Sequence, residues 1–261
     1  MLVDTGAHTS YLLRGATERL GIPIQQSGQY SFGIGGASVI YSAKLKDFSI
    51  GPAHLGKSIV PVVGNTPMQP RFEAIVGADF LLQMDLELAL RANYMQFFRA
   101  TDCRDTFLGY WDKDAMEVPF SGFESDSKKP LVAIELNGVK LQALLDSGAY
   151  RTGVTRQAAE RAGIKPDSPE VIKAGSAVGI GDAKIATWSA RFDNFTIGSE
   201  TIKNAELSIM DEAPQGRGVV DVILGADFLR AHRVLFAMSQ QRLYISYLGG
   251  AVFARTAKAA R

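Results

Sequence analysis

The stretches LVDTGAHTS (residues 2–10) and LLDSGAYRT (residues 144–152) carry one pattern twice in the same chain. Each places two apolar residues before an Asp, and each follows the Asp with a hydroxyl residue, Gly and Ala. The two aspartates, Asp4 and Asp146, are 142 positions apart. A single triplet of this kind is an ordinary turn signal. Two triplets in matched surroundings indicate an internal repeat.

Further blocks match in the same order along the two halves. They are GIG at 33–35 and 179–181, AKLKDFSIG at 43–51 and ARFDNFTIG at 190–198, and IVGADFL at 75–81 and ILGADFL at 223–229. This order indicates one domain that is duplicated within the chain. We expect a first lobe at 1–100, an interlobe connection at 101–129, a second lobe at 130–248 and a C-terminal tail at 249–261. The segment FESDSKK (123–129) is the most polar part of the connection, so we expect it to be the most mobile.

Composition excludes several classes of function. The 261 residues include 28 basic and 27 acidic ones, which leaves a net charge of +1. This balance does not indicate a surface for polyanions, so we expect no nucleic-acid partner. No run of 18 uncharged apolar residues occurs, so no membrane span is predicted, and the first residues lack the pattern of a signal peptide. Cys103 is the single cysteine, so no intrachain disulfide can form.

Local patterns predict strands, tight turns and short helices in both halves. The runs on either side of Asn137-Gly138 predict a two-residue β-hairpin. A short helix is predicted after each Asp triplet, ended by Gly21 in the first half and by Gly163 in the second. Pairs of strands are expected to close the halves, DLELAL (85–90) with NYMQFF (93–98) and RVLFAM (233–238) with RLYISY (242–247).

These motifs resemble those of the retropepsin-like aspartic proteases. The resemblance lies in the apolar pair before D-[TS]-G-A, the later G-I-G element, and the apolar pair before G-A-D-F-L. Two copies in one chain resemble a single-chain bacterial form of the retroviral homodimer, or a smaller analogue of the two-lobed pepsin arrangement. A glycine-rich element in each half favours the first. The resemblance implies an all-β fold of two tandem β-barrel lobes with short helices, related by a pseudo-twofold axis. It also implies an aspartic endopeptidase that works as a two-lobed monomer on a polypeptide substrate.

The chemistry of the family explains why the pattern occurs twice. Hydrolysis of a peptide by water needs a base and an acid, and two carboxyl groups held about 3 Å apart can share one proton and supply both. Each lobe supplies one carboxyl group. The resemblance therefore assigns catalysis to Asp4 and Asp146, whose like charges should make the pair titrate in two separate steps.

The residues after each aspartate are expected to support the pair. Thr5 and Ser147 match the family positions whose hydroxyl groups form hydrogen bonds across the two lobes. Gly6 and Gly148 lack a Cβ atom, which allows backbone and substrate to approach closely.

The glycine-rich elements match the family's flaps, the β-hairpins that close over a bound peptide. An extended peptide would lie between the flaps and the aspartates and pair as an added strand. The predicted flap and substrate-binding residues are Gly33, Ile34, Gly35 and Gly36 in the first lobe and Gly179, Ile180, Gly181 and Asp182 in the second.

Other polar residues are better explained by structure than by chemistry. Asp79 and Asp227 lie in the repeated GADF element, where the family uses an acidic or amide residue to bond local backbone. His8, His54 and His232 have no ligand spacing, so we expect no metal site. The G-I-G elements lack the third glycine of a dinucleotide-binding fingerprint, and we expect no cofactor.

The sequence also departs from the retroviral pattern. Retroviral enzymes place an Asp after D-T-G-A and an Arg in the later glycine element, and these form an ion pair that braces the dimer. This chain has His8 and Tyr150 at the first position and Ala78 and Ala226 at the second. The brace is therefore absent, and substrate specificity cannot be carried over from a relative. Bacterial proteins with two such repeats are often exported. The resemblance therefore implies a periplasmic or exported location for this chain.

The two halves differ in what precedes the aspartate. Fifteen residues from Leu131 to Leu145 lead into Asp146, whereas Met1 to Val3 alone precede Asp4. We therefore expect that at least twelve residues of an equivalent hairpin lie upstream in the native chain and that Met1 is an internal methionine. An unpaired neighbouring strand would otherwise present free backbone groups.

Two other functions are compatible with the same residues. One is a duplicated β module that binds extended peptides without cutting them. The other is a hydrolase that uses the same pair of aspartates on a nonpeptide bond.

Overall fold

The computed structural model describes residues 1–50, 53–55, 58–64, 71–123, 128–165, 167–169, 171–211 and 220–253. These residues form twenty strands, four short α-helices and one 3₁₀-helix. The strands are β1 (Leu2–Val3), β2 (Tyr11–Leu13), β3 (Ile24–Gly33), β4 (Gly36–Leu45), β5 (Phe48–Ile50), β6 (Ala53–Leu55), β7 (Ser58–Val63), β8 (Ala74–Val76), β9 (Asp85–Ala89), β10 (Tyr94–Phe98), β11 (Met116–Phe123), β12 (Pro130–Leu136), β13 (Val139–Leu145), β14 (Gly153–Thr155), β15 (Ile172–Ala177), β16 (Ile185–Ile197), β17 (Glu200–Met210), β18 (Val222–Leu224), β19 (His232–Ala237) and β20 (Arg242–Tyr247). The helices are α1 (Arg14–Arg19), α2 (Ala78–Leu81), α3 (Arg156–Arg161), α4 (Ala226–Leu229) and the 3₁₀-helix Leu90–Ala92.

The two halves have the same strand order, which confirms the all-β, two-lobed fold. The first lobe has the order β1-β8-β2-β7-β4-β3 in a six-stranded sheet. The second lobe has β13-β18-β14-β17-β16-β15, which lies within a twelve-stranded sheet. In both orders the strand that leads into the aspartate pairs in parallel with the strand of the later glycine element. The repeated sequence blocks therefore occupy matching places in the two lobes.

Local sequence accounts for the turns and helix ends that were predicted. The hairpin β12–β13 turns at Asn137 and Gly138, whose φ angles of 51° and 78° fit the left-handed positions of a type I′ turn. Both predicted helices form, and the glycine after each has positive φ, 64° at Gly21 and 86° at Gly163. The Thr155 side chain also caps the start of α3 by accepting a hydrogen bond from the N–H of Ala158.

The lobes are joined by a shared sheet in the order β10-β9-β19-β20-β11. Both predicted strand pairs form there, and β9 of the first half pairs antiparallel with β19 of the second. Leu86, Leu88 and Phe236 are fully buried in this region. Burial of such a side chain contributes about 1.5–3 kcal/mol relative to exposure. The sheet is therefore a stable base that fixes one lobe against the other.

The connection between the repeats contributes a strand to this base. Met116–Phe123 pairs with β20 on one side and with β12 on the other. Residues 124–127, within the polar segment that was expected to be most mobile, lie outside the described residues, as do 254–261 of the tail. In the part of the chain that the structure describes, no helix is long and apolar enough to cross a membrane.

Candidate active site

The two aspartates begin equivalent loops, one in each lobe. Asp4 follows β1, and its backbone N–H donates to the carbonyl oxygen of Val76 at 3.0 Å. Asp146 follows β13, and its N–H donates to the carbonyl oxygen of Leu224 at 2.9 Å. Val76 and Leu224 each end the strand that precedes the GADF element. The repeated sequence blocks thus hold the start of each aspartate loop.

Hydroxyl groups link the two loops across the lobe junction. The Thr5 hydroxyl donates to the Leu145 carbonyl at 2.8 Å and accepts from the Ser147 N–H at 3.1 Å. The Ser147 hydroxyl donates to the Val3 carbonyl at 2.8 Å and accepts from the Thr5 N–H at 3.1 Å. Each lobe therefore supplies a hydroxyl group that satisfies one donor and one acceptor of the other lobe's backbone.

The carboxyl groups meet at the glycines of the opposite loop. A Cβ atom added to Gly6 would lie 2.2 Å from Cγ of Asp146, and one added to Gly148 would lie 2.3 Å from Cγ of Asp4. Each carboxyl also accepts two backbone N–H groups through Oδ1, at 3.0 and 2.8 Å for Asp4 and at 2.8 and 3.0 Å for Asp146. The absence of two Cβ atoms is what allows the carboxyl groups to approach each other.

Burial and mutual repulsion make the two carboxyl groups a coupled pair. Burial raises the pKa of Asp4 well above its ordinary value, and the negative charge of Asp146 raises it further. Burial also raises the pKa of Asp146, while a hydrogen bond from Asp4 and the backbone N–H groups lower it. The arrangement favours a pair that holds one proton between its two carboxyl groups.

We predict that the interlobe hydroxyl groups are needed for stability. Thr5→Val and Ser147→Ala should each lower the free energy of unfolding by about 1–3 kcal/mol, because a buried donor and acceptor lose their partners. Denaturant unfolding of the purified variants measures this loss. Thr201→Val is the control, since its hydroxyl contacts Thr196 at an exposed position and should change stability by at most about 0.5 kcal/mol. Wild-type stability in both loop variants would contradict the role of these hydroxyl groups.

The raised pKa of Asp4 predicts how stability depends on pH. Between the ordinary value of 3.8 and the raised pKa, the folded chain keeps a proton that the unfolded chain has released. Stability is therefore lost as pH rises through this range. Asp4→Asn carries no titrating group, so its melting temperature relative to wild type should increase from about pH 4 to about pH 7. Thermal melts across this range test the sign, and a difference that is constant or decreases would contradict it.

The predicted flap residues come together at the tips of two hairpins. Strands β3 and β4 form the first hairpin, in which Gly33 lies opposite Gly36, and β15 and β16 form the second. The Gly35 N–H donates to the Ile180 carbonyl at 2.9 Å, and the Ala183 N–H donates to the Gly35 carbonyl at 3.0 Å. The two tips are therefore bonded to each other through their backbones.

Close backbone approach explains several of the tip glycines. A Cβ atom on Gly181 would lie 2.3 Å from the backbone of Gly35, and one on Gly33 would lie 2.7 Å from the Ile180 carbonyl oxygen. Gly36 and Gly181 also have φ angles of 92° and 104°, which favour glycine. Gly179 is in ordinary contact range of the Ile34 side chain, and Asp182 is exposed.

Each tip isoleucine packs against the opposite lobe. Ile34 of the first flap contacts a second-lobe cluster that includes Leu131, Leu144 and Ile223. Ile180 of the second flap packs on the corresponding first-lobe cluster. The sequence did not predict this exchange, because residue patterns within a hairpin do not indicate which distant surface its tip will contact.

The two aspartates of the repeated GADF element support the loops. The Asp227 carboxylate accepts from the N–H of Thr152 at 2.9 Å and from its hydroxyl at 2.7 Å, and that hydroxyl accepts from the N–H of Gly225. In the first lobe Asp79 accepts from the Ser10 hydroxyl at 2.7 Å, which itself accepts from the N–H of the equivalent glycine. This agrees with the expected structural role.

The two histidine side chains that the structure describes lie in different surroundings. His8 is exposed, whereas His232 is fully buried between the Phe228 carbonyl and the Glu200 carboxylate. The side chain of His54 lies outside the described residues. Within the described ranges no group of three or more His, Cys, Asp and Glu side chains is placed to hold a metal ion.

Lys129 lies near the site, and the sequence patterns did not predict it. It lies at the end of the polar segment FESDSKK, yet it is buried, and its Nζ donates to the Gly6 carbonyl at 3.0 Å. Its position directly before β12 was the one available signal. Polar composition gave the opposite expectation, because it cannot show that the last residue of the connection reaches the first lobe.

The fold and the paired loops define the class of two-lobed aspartic proteases. The aspartyl protease family matches residues 1–80 and 132–228, which is more than half of the chain. The chain therefore belongs to the aspartyl protease family. The matched segments include both aspartate triplets, so the resemblance seen in the motifs is confirmed at the level of the family. A search of curated proteins finds no match.

One solved structure has the same architecture over almost the whole chain. The aspartic proteinase from Irpex lacteus is similar with a TM-score of 0.53 and 12% identity over 98% of this chain and 91% of that chain. At this identity the likeness shows the fold alone. A retropepsin-like aspartic protease from Rickettsia conorii has a TM-score of 0.35 and 18% identity over 51% of this chain and 92% of that one. EIAV protease complexed with the inhibitor HBY-793 has a TM-score of 0.32 and 21% identity over 41% and 89%.

Proposed function

We propose that the protein is an aspartic endopeptidase whose catalytic pair is Asp4 and Asp146. The observation that carries the proposal is the close approach of two carboxyl groups from different lobes, each lying against a glycine of the other loop. Membership of the aspartyl protease family supports it. Burial raises the pKa of both carboxyl groups, so ionising them inside the protein costs free energy. A module that only binds peptides does not need such a pair, whereas a catalytic site does.

In the proposed mechanism the pair activates a water molecule without a covalent intermediate. The Asp146 carboxylate takes a proton from the water while the water oxygen attacks the peptide carbonyl carbon. Asp4 gives its proton to the carbonyl oxygen, which produces a neutral tetrahedral diol. In the second step a diol hydroxyl returns its proton to Asp4, the C–N bond breaks, and Asp146 protonates the departing nitrogen. The pair thus ends with the one proton that it had at the start.

The flaps are proposed to hold the substrate. An extended polypeptide would lie between the flap tips and the aspartates, where backbone groups of Gly33–Gly36 and Gly179–Asp182 can pair with it as with an added strand. The tips are bonded to each other and packed across the lobes, so they must separate to admit the chain. We propose that the lobes correspond to 1–100 and 130–248, joined by 101–129 and followed by a tail at 249–261, in one monomer.

Cleavage of an unfolded protein tests the proposal. The full chain is incubated with a denatured protein from about pH 4 to about pH 7, with and without a statine-containing peptide that mimics the tetrahedral intermediate. We expect fragments whose formation the statine peptide suppresses. A folded chain that binds the statine peptide without producing fragments would support the binding module instead. Cleavage of esters but not of peptides would support the nonpeptide hydrolase.

A further inference from the structure

Lys129 is a buried cation at the junction of the two lobes. It lies directly before β12 of the second lobe and is only 8% exposed. Its Nζ donates to the carbonyl oxygen of Gly6 in the first lobe at 3.0 Å. Lysine is rarely buried unless its ammonium group is paired, because an unpaired buried charge is costly. The Gly6 carbonyl is thus a partner that helps hold the lysine inside the junction.

Gly6 also connects Lys129 to the catalytic pair. The same glycine lies against the Asp146 carboxyl group. A Cβ atom added to it would lie only 2.2 Å from Cγ of Asp146. One residue therefore touches the ammonium group through its carbonyl and the carboxyl group through its α-carbon. Burial is the largest influence on the pKa of Asp146 and raises it, and the charge of Lys129 is among the influences that lower it.

We propose that Lys129 is a positioning residue that anchors the Gly6 loop to the second lobe and holds the negative charge of the pair on Asp146. The proposal rests on the proposed function, since it assigns the acid and base roles within that pair. With the charge held on Asp146, the shared proton stays on Asp4. The two chemically identical carboxyl groups thereby become different before a substrate arrives.

The other charged groups close to this site in sequence are poorly placed to do the same. His8 and Lys128 are exposed, and water and salt screen exposed charges. Asp182 on the second flap is exposed as well. The charge of Lys129 acts to lower the pKa of Asp146, whereas the charge of Asp146 acts to raise the pKa of Asp4.

The pH profile of cleavage distinguishes this role from a merely structural one. Lys129→Met removes the charge and the donor, and Lys129→Arg keeps both. Because a nearby cation favours the ionised pair, its removal should move both limbs of the kcat/KM profile upward by about one pH unit. Lys129→Arg should keep the wild-type profile, and Lys128→Met, at the exposed neighbouring position, is the matched control. A Met variant that is less stable but has an unshifted profile would overturn the proposal, as would an Arg variant that shifts equally.

A second measurement does not depend on activity or on the Met variant folding. NMR titration of the Asp146 carboxyl carbon in the full chain should show a higher midpoint in Lys129→Gln, which keeps a donor but no charge, than in Lys129→Arg. Equal midpoints would overturn the role of Lys129 even in an active enzyme. If the midpoint is higher in Lys129→Gln than in Lys129→Arg but the wild-type chain cleaves nothing, the role of Lys129 is upheld. The proposed function is then contradicted.

Discussion

Cleavage activity should fall by about 10³-fold or more when either Asp4 or Asp146 is replaced by Asn, because each change removes the shared-proton pair. Neither change should prevent folding, since the Asn side-chain oxygen can still accept the backbone N–H groups that Oδ1 accepts in wild type. The double variant should be no less active than either single one, because residues that act as a unit do not contribute additively. Single-turnover kinetics on one peptide substrate measures all three.

Asp79→Asn is the matched control for these variants. Its carboxylate lies in the GADF element and accepts a hydrogen bond from the Ser10 hydroxyl. We expect a change in stability at most, with cleavage close to that of wild type. Near-full activity in Asp4→Asn or in Asp146→Asn would require the catalytic pair to be reassigned.

Gly6→Ala and Gly148→Ala should lower both stability and cleavage, although each adds only a methyl group. The new Cβ would lie 2.2 Å from Asp146 Cγ in the first case and 2.3 Å from Asp4 Cγ in the second, so the loops must move apart. Overpacking of this kind costs about 1–3 kcal/mol of stability. Displacement of a reacting group by about 1 Å costs about 10²-fold in rate. We therefore expect both stability and cleavage to fall.

Gly15→Ala is the control for the added methyl group. Gly15 lies in helix α1, and a Cβ there has nothing within 4 Å. The change should stabilise the chain by up to about 1 kcal/mol, because alanine favours the helix. The unfolding midpoints and kcat/KM values of the three variants are measured and compared with those of wild type. Wild-type activity in Gly6→Ala would mean that the loops are not packed as closely as the structure has them.

Much of the fold could be predicted because the chain repeats itself. Because each sequence block occurs twice, a secondary-structure prediction had to fit both halves. Local residue chemistry predicted individual turns, such as the one at Asn137-Gly138. The paired aspartates could be predicted for the same reason. Long-range pairing could not, because alternation along β9 shows that it has a buried face and not that its partner is β19.

The contacts that cross between the lobes were also hidden from the sequence. Ile34 and Ile180 each pack on the opposite lobe. Their sequence is equally compatible with packing against their own lobe. Lys129 lies in a segment whose polar composition is typical of a solvent-exposed loop. Only the tertiary structure places its ammonium group beside Gly6. Such contacts depend on how two folded lobes meet, a property that periodicity and turn chemistry do not encode.

The central claim is that one chain contains one catalytic site, to which each lobe contributes one aspartate. Titration of cleavage activity with a tight-binding statine peptide tests it most directly, because the end point counts the sites. We predict complete loss of activity at one equivalent of the peptide per chain. An end point of two equivalents would mean that each lobe acts alone, and one of half an equivalent would mean that two chains share a site. Either result, or a folded chain without cleavage to inhibit, would contradict the claim.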